Sequence, residues 1–438
     1  MSISDFFKEF LANLAVPNDR ATTISNRYGE ITSSLNLCFR ETDSKTLYTL
    51  QVGSYGRWTA IKGISDLDMI YIIPQSKWDI YKDKQSKLLS DLKEAIIKRY
   101  PRTEVYVDRL VVRVLYQDFH IEIQPAFEQD DGSFKYPDTY NGGAWKITKP
   151  RQEIEAMKEQ NNKKNKNLRR LCKMVRAWKN KHGIEMGGLL IDTLAYNFMN
   201  STAEYDETSY SCYHYMIRDF FKYLSEESDK DYYLALGSLQ RVRVKKKFQE
   251  KSKKAYELCL EAIEAKDQKN ENLKWKKIFG REFPTEKGSG FAEDSKILSY
   301  NNTEEFIEDK FQVDIRYSIS IDCIVSQNGF RDHFLRNLLK MRALLKPDKR
   351  LQFHVVETNV PCPYDLYWKI LNRGDEAKKR NQIRGDIIKD KGNKERIEDT
   401  RFRGDHIVEC YAVKDNIVVA KDRIHVPIDS NAEDAYVR

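Results

Sequence analysis

The stretch "LQVGSYGRWTAIKGISDLDMIYIIP", Leu50 to Pro74, decides the reading of this chain. A short apolar run ends in Gly53 and Ser54; twelve residues after Ser54 stands Asp66, followed by Asp68, in the apolar setting of Ile64, Leu67, Met69 and Ile70. On a strand, side chains at i and i+2 share a face, so Asp66 and Asp68 emerge together while Leu67 turns to the other side. Two carboxylates aimed at one point repel unless a cation sits between them. Magnesium, which prefers one or two carboxylates plus substrate phosphates, fits that need. Gly53 allows close backbone approach, and free amides with the Ser54 hydroxyl at a turn can hold an anionic triphosphate. Alone, a Gly-Ser pair is a common turn and an Asp-x-Asp pair is usually solvated. Their order and spacing on an apolar strand point to a site.

A third carboxylate would complete such a site, and "FHIEIQPAF" offers one. Ile121 and Ile123 alternate with His120, Glu122 and Gln124, so Glu122 projects from one strand face. Pro125 is expected to end that strand. His120 lies two residues before Glu122 and receives no catalytic role.

Outward from these segments, the chain divides into three patterns. Residues 1–150 alternate helical and strand signals: Ile24, Tyr28, Ile31 and Leu35 recur at helical spacing, and "LDMIYIIP" and "VYVDRLVVRVLY" are rich in branched and aromatic residues. Residues 151–290 read as helical, with apolar residues three to four apart in "LRRLCKMVRAWK", "GGLLIDTLAYNFM" and "KKAYELCLEAIEAK". The segment Thr285 to Ser299 reads as a linker. From residue 300 to 438 the period is two: Tyr317, Ile319, Ile321 and Cys323 alternate with Arg316, Ser318, Ser320 and Asp322, and "LQFHVVETNV", "DHIVECYAV" and "NIVVAKDRIHVPI" read as further strands. The expected fold is α+β with a helical domain, followed by an all-β, sandwich-like carboxy-terminal domain.

Composition narrows the function classes. The 438 residues are enough for two or three cores, and 40% hydrophobic with 12% aromatic residues describe a globular chain. No run of eighteen apolar residues occurs, and "MSISDFFKEF" lacks a basic-then-apolar leader, so a cytoplasmic protein without membrane contact is expected. Seven scattered cysteines without a CxxC pair argue against a disulfide framework or a zinc knuckle. The net charge of +8 concentrates in Lys146–Lys181 and Arg241–Lys254, runs that suit phosphate-bearing ligands.

The order Gly-Ser, Asp-x-Asp and later strand carboxylate resembles the polymerase-β-like nucleotidyltransferase fold. "VGSYGRWTAIKGISDLDMIYIIP", "GGAWKITKP" and "LCKMVRAWKNKHGIEMGGLLIDTLAY" resemble the bacterial second-messenger oligonucleotide or dinucleotide synthetases, relatives of cyclic GMP-AMP synthase. "YDLYWKILNRGDEA", "IRGDI" and "FRGDHIVECYAVKDNIVVAKDRIHVPI" resemble the sensor domain sometimes fused to them. The resemblance implies two magnesium ions, replaceable by manganese, held by Asp66, Asp68 and Glu122. It also implies Gly53 and Ser54 on the β- and γ-phosphates, with Lys173 and Lys179 of the helical region as further triphosphate contacts. The commoner third acid is Asp; Glu122 reaches the metal through one more methylene. ATP, GTP or other nucleoside triphosphates would be joined into a cyclic or short linear oligonucleotide. No nucleic acid would be required, and the product would activate a separate effector in anti-phage signalling.

Tyr210, Tyr213 and Tyr215 are aromatic candidates for stacking on a purine, although the chain has 25 tyrosines. Leu171, Val175 and Trp178 read as the inward face of their helix. The Arg-Gly-Asp triplets read as turns rather than adhesion signals. Two other readings stay open: addition of nucleotides to RNA ends, and an inactive nucleotide-binding scaffold beneath a working β-domain.

Overall fold

The first helix, α1 (Ile3–Asn13), opens on a reciprocal cap: Ser2 Oγ accepts from the Asp5 amide at 3.2 Å, and Asp5 Oδ2 accepts from the Ser2 amide at 3.0 Å. Its Phe6, Phe7 and Phe10 are buried against Trp275, Phe279 and Phe283. The computed structural model describes residues 2–266, 271–285, 304–327, 331–343, 345–347, 349–380, 382–400 and 403–428. The expected linker, Thr285 apart, lies outside the described residues. The chain forms two units: Met1–Lys181 with Met186–Glu286, and His182–Glu185 with Lys287–Arg438.

In the first unit α1 is followed by the long α2 (Asn18–Arg40), β1 (Thr49–Gln51), the one-turn α3 (Gly53–Gly56) and β2 (Asp66–Ile72). Next come α4 (Trp78–Tyr81), α5 (Gln85–Arg99), β3 (Val105–Asp108), β4 (Val111–Leu115), β5 (His120–Glu128), β6 (Phe134–Asp138) and β7 (Ala144–Thr148). The sheet order is β1-β2-β5-β4-β3, with β6 pairing β5 and β7 pairing β6. Two-residue periodicity gives this sheet two chemically distinct faces. Leu67, Met69 and Tyr71 of β2, Ile121 and Ile123 of β5, and Val112 and Val114 of β4 pack with α2 and α5 through Ile24, Ile31, Leu35, Leu88 and Leu92. Truncating one of these leucines to alanine typically costs about 2–5 kcal/mol. The other face therefore carries Asp66, Asp68, His120, Glu122 and Arg113.

"VYVDRLVVRVLY" is a hairpin, β3–β4, turning at Arg109 with φ +36°. One local expectation is corrected here. Pro125 does not end its strand: β5 runs on to Glu128, with Pro125 opposite Tyr71 of β2. Pairing with β4 stops at Ile123 and pairing with β6 starts at Phe127, so Pro125 falls where one ladder has an opening.

The rest of this unit is mainly helical: α6 (Pro150–Lys163), α7 (Asn167–His182), α8 (Gly188–Ser201), α9 (Tyr213–Glu226), the hairpin β8 (Tyr232–Leu234) and β9 (Arg241–Arg243), α10 (Gln249–Glu264) and α11 (Glu271–Phe279). Pro150 sits in the first turn of α6, where its missing N–H is harmless. Leu171, Val175 and Trp178 are buried as their spacing implies, Trp178 against Phe221 at 4.8 Å.

The second unit contains α12 (Ile307–Lys310), β10 (Gln312–Val313), β11 (Ile319–Ser326), β12 (His333–Phe334), α13 (Leu335–Lys340), β13 (Arg350–Thr358) and β14 (Asp365–Leu371). It continues through α14 (Asp375–Lys379), β15 (Arg384–Lys389), β16 (Glu395–Asp399), β17 (Gly404–Lys414) and β18 (Ile417–Ile428). Sheets ordered β10-β18-β17-β14-β15 and β12-β11-β13-β16 share one core, in which Ile321, Cys323 and Phe353 join Trp368, Val408, Cys410 and Val419. The domain is sandwich-like and mostly β, with three short helices among the described residues that the strand pattern did not foretell. The Arg373–Asp375 triplet turns at Gly374, φ +95°, whereas Arg384–Asp386 lies within β15 and Arg403–Asp405 leads into β17.

All seven cysteines are free thiols, and Cys172, Cys259, Cys323 and Cys410 are buried. Among the described residues no helix is long and apolar enough to cross a membrane.

Candidate active site

β2 and β5 run parallel, which sets Asp66 opposite His120 and Asp68 opposite Glu122. Ligand atoms of Asp66, His120 and Glu122 all lie within 4.8 Å of one another. Asp68 reaches the Gly-Ser turn instead. A Cβ on Gly53 would sit 1.9 Å from Asp68 Oδ2, and Gly53 has φ +63°. The glycine is therefore required first by the chain's own carboxylate, whereas its sequence setting alone points to approach of a ligand. Ser54 follows, half-buried; its carbonyl accepts from the Thr59 and Ala60 amides at 2.9 and 3.1 Å, which closes the turn.

Glu122 is held from two sides. Arg113 Nη2 lies 2.8 Å from Glu122 Oε1, and His120 Nε2 lies 3.2 Å from the same oxygen. Burial pulls Arg113 toward its neutral form, but Glu122, Tyr106 and Asp108 outweigh it and hold the guanidinium above its ordinary range. His120 is buried, and its Nδ1 has no hydrogen-bond partner.

Behind the Gly-Ser turn lies a buried charge network. Arg57, which caps α3, donates from Nε to Asp192 Oδ2 at 2.8 Å and from Nη1 to Glu153 Oε2 at 3.3 Å. Arg176 Nη1 donates to Asp192 Oδ1 at 2.6 Å, and Thr59 Oγ1 donates to Asp192 Oδ2 at 3.0 Å. Burial alone would raise the Asp192 pKa, yet Arg176 and Arg57 overcome it and lower the value to about 2. Glu153 goes the other way: burial dominates over Arg57 and raises it. The geometry accounts for the difference, since two guanidiniums hold Asp192 while Glu153 shares one of them. Arg169 of α7 donates from Nε to the Arg57 carbonyl at 3.0 Å, so three helices fix this turn.

Family models match both ends of the chain: the Second Messenger Oligonucleotide or Dinucleotide Synthetase domain over residues 1–161, and the Adenylyl/Guanylyl and SMODS C-terminal sensor domain over residues 301–429. The chain carries a second-messenger oligonucleotide or dinucleotide synthetase domain over residues 1–161. It is thus a nucleotidyltransferase with a carboxy-terminal sensor domain. Similar solved structures include Escherichia coli MS115-1 CdnC with ATP, at 14% identity over 64% of this chain and 98% of that one, with a TM-score of 0.49. The Vibrio cholerae DncV apo form matches at 14% over 54% and 69%, TM-score 0.44. The STING-associated CdnE c-di-GMP synthase from Capnocytophaga granulosa matches at 15% over 58% and 83%, TM-score 0.45. No curated protein matches the chain.

In this synthetase α7 does not bring Lys173 and Lys179 to one point. Six residues apart on a helix, they are rotated by about 240°. Lys173 follows Arg169 by one turn on the same face and is partly buried; burial, then the like charges of Arg169 and Arg176, lower its pKa. Lys179 is only 5% exposed. Tyr213 is a core residue, its hydroxyl donating to Asn167 Oδ1 at 2.6 Å, and so is withdrawn from the stacking candidates. Tyr210 and Tyr215 lie under Arg170 and Arg218.

The sequence reading missed His120 as a donor, Arg113 as its companion, and the Arg57–Asp192 pair. A signal existed for Arg113, a lone cation among the alternating valines of "VVRVL". None existed for Arg57 and Asp192, which are 135 residues apart.

Proposed function

We propose that this synthetase joins nucleoside triphosphates, ATP and GTP foremost, into a cyclic or short oligonucleotide without a template. The observation that carries the reading is the meeting of Asp66, Asp68 and Glu122 on one face of the parallel pair β2–β5, with the Gly53–Ser54 turn packed on Asp68. Two magnesium ions would be held there, because carboxylate oxygens are the hard ligands that magnesium prefers. Manganese would substitute. Bound ions would activate the acceptor ribose hydroxyl and ease departure of pyrophosphate.

The chain's own groups supply placement. Asp66 and Asp68 would face both ions and Glu122 the acceptor side. The Ser54 hydroxyl and turn amides would hold the β- and γ-phosphates. Lys173, facing the same way as Arg169 and surrounded by other cations, is favoured over Lys179 as the triphosphate contact. Residues 1–150 would carry catalysis, 151–290 clamp nucleotide and 300–438 sense a signal. The product would activate a separate effector in anti-phage defence within the cytoplasm.

The test is incubation of the protein with the four labelled ribonucleoside triphosphates and magnesium or manganese, without RNA. A phosphatase-resistant product absent from the Asp66→Asn/Asp68→Asn protein is expected. Growth of a product only when RNA is supplied would replace this reading with RNA-end addition.

A further inference from the structure

Arg113 lies in the middle of an apolar strand, between the fully buried Val112 and Val114, and points to the opposite face. Strand register places it opposite Tyr106 on β3 and Glu122 on β5, and Glu122 is opposite Asp68 on β2. One rung of the sheet thus reads Tyr106, Arg113, Glu122, Asp68. The Arg113 and Glu122 side chains are 15% and 17% exposed, and their 2.8 Å contact is charge-assisted. Arg113 also lies 3.3 Å from Asp108, and donates to the Tyr106 hydroxyl at 3.3 Å.

Three carboxylates on neighbouring strands repel one another whenever nothing cationic is between them. On that reading divalent ions would come and go with nucleotide and pyrophosphate, and between turnovers the repulsion would need an internal answer. We propose that Arg113 is the resident counter-charge of the catalytic carboxylates, neutralising and aiming Glu122 before metal binds and sharing it afterwards. This rests on the metal-carboxylate reading above. Arg113 is then a positioning residue, placed to act through Glu122.

The test compares the wild-type protein with Arg113→Met, Arg113→Gln, Arg113→Lys and the double variant Arg113→Met/Glu122→Gln. Melting is followed in chelator and in excess magnesium, and Mn2+ binding without nucleotide by the paramagnetic resonance of the free ion. In chelator, loss of the half-buried charge partner should lower the melting temperature of Arg113→Met by on the order of 5 °C. Magnesium should recover most of that loss, and Mn2+ should bind about tenfold tighter than to wild type, because its competitor is gone. Adding Glu122→Gln should abolish both effects, and Arg113→Lys should stay near wild type. Arg113→Gln gives the same comparison if the methionine variant does not fold.

A deficit equal with and without magnesium, or a double variant no better than Arg113→Met, would overturn the proposal in favour of simple packing. If wild type binds Mn2+ and Arg113→Met binds it equally, the proposal alone falls. If neither binds Mn2+, the metal reading falls and takes the proposal with it.

Discussion

Replacing Gly53 by alanine separates the demands of the backbone from those of the site. The added Cβ would stand 1.9 Å from Asp68 Oδ2 and 2.8 Å from Asp68 Cγ. Unbonded heavy atoms settle at roughly 3.5 Å, so the carboxylate must retreat by more than about 1 Å. The backbone cannot yield instead: the Val52 amide donates to the Asp68 carbonyl at 3.0 Å, and β2 is paired on both sides. A misplacement of about 1 Å at a reacting centre costs about 100-fold in rate. Alanine at φ +63° adds roughly 1–2 kcal/mol of strain, a few degrees of melting temperature in a unit of this size.

Gly132 supplies the control. It has φ +74° with nothing within 4 Å of its would-be Cβ, so Gly132→Ala carries the strain without the collision. Steady-state product formation, measured with differential scanning fluorimetry on the same preparations, should show similar melting shifts for the two variants. Turnover should fall about 100-fold or more only for Gly53→Ala. Turnover of Gly53→Ala within threefold of Gly132→Ala would refute the argument that Asp68 must occupy that space.

Three further outcomes are expected. Asp66→Asn with Asp68→Asn should abolish synthesis while melting at or above the wild-type temperature in chelator, because repulsion is relieved; metal-dependent turnover near wild type would remove both residues from the mechanism. Glu122→Gln should reduce turnover at least tenfold at saturating magnesium, and an unchanged rate would return Glu122 to a purely structural role. Asp192→Asn should lose about 3–5 kcal/mol at neutral pH by leaving Arg57 and Arg176 without their carboxylate. Because the folded Asp192 pKa is depressed to about 2, its contribution is complete above the unfolded value near 3.8 and is lost as pH falls through 2. The gap between wild type and Asp192→Asn in urea unfolding should therefore narrow by on the order of 2 kcal/mol from pH 4 to pH 2; a constant gap would contradict the assigned ion pair.

The parts legible in the sequence are those governed by local periodicity. Alternation at Asp66–Asp68 and at His120–Glu122 is a property of single strands, and Ile24 to Leu35 needs only the helical repeat. The limits come where a position is decided by a neighbour in space. Pro125 looked like a strand end because the opening between β4 and β6 is a fact of register. Tyr213 looked like a base-stacking candidate until Asn167 took its hydroxyl. Gly53 reads as a place for close approach of a ligand, but the group packed against it is Asp68, fifteen residues away, and no local rule couples those two positions.

The same distinction explains how the site is built. Several groups assigned to the chemistry are fixed by other side chains: Asp68 fills the space Gly53 leaves, Glu122 is held by Arg113 across the sheet and by His120 on its own strand, and the Gly-Ser turn is tied down by Arg57. Arg57 carries the argument furthest, because both of its carboxylate partners, Glu153 and Asp192, lie beyond Pro150. A buried guanidinium stripped of both would be an uncompensated charge in a poorly solvated interior, a situation folded chains avoid. The change of pattern at Pro150 therefore divides labour without dividing the fold, and residues on both sides of it belong to one compact unit. Movement of α6 or α8 would shift Glu153 or Asp192 and, through Arg57, the turn proposed to hold the triphosphate. The helices are in this way mechanically coupled to that turn.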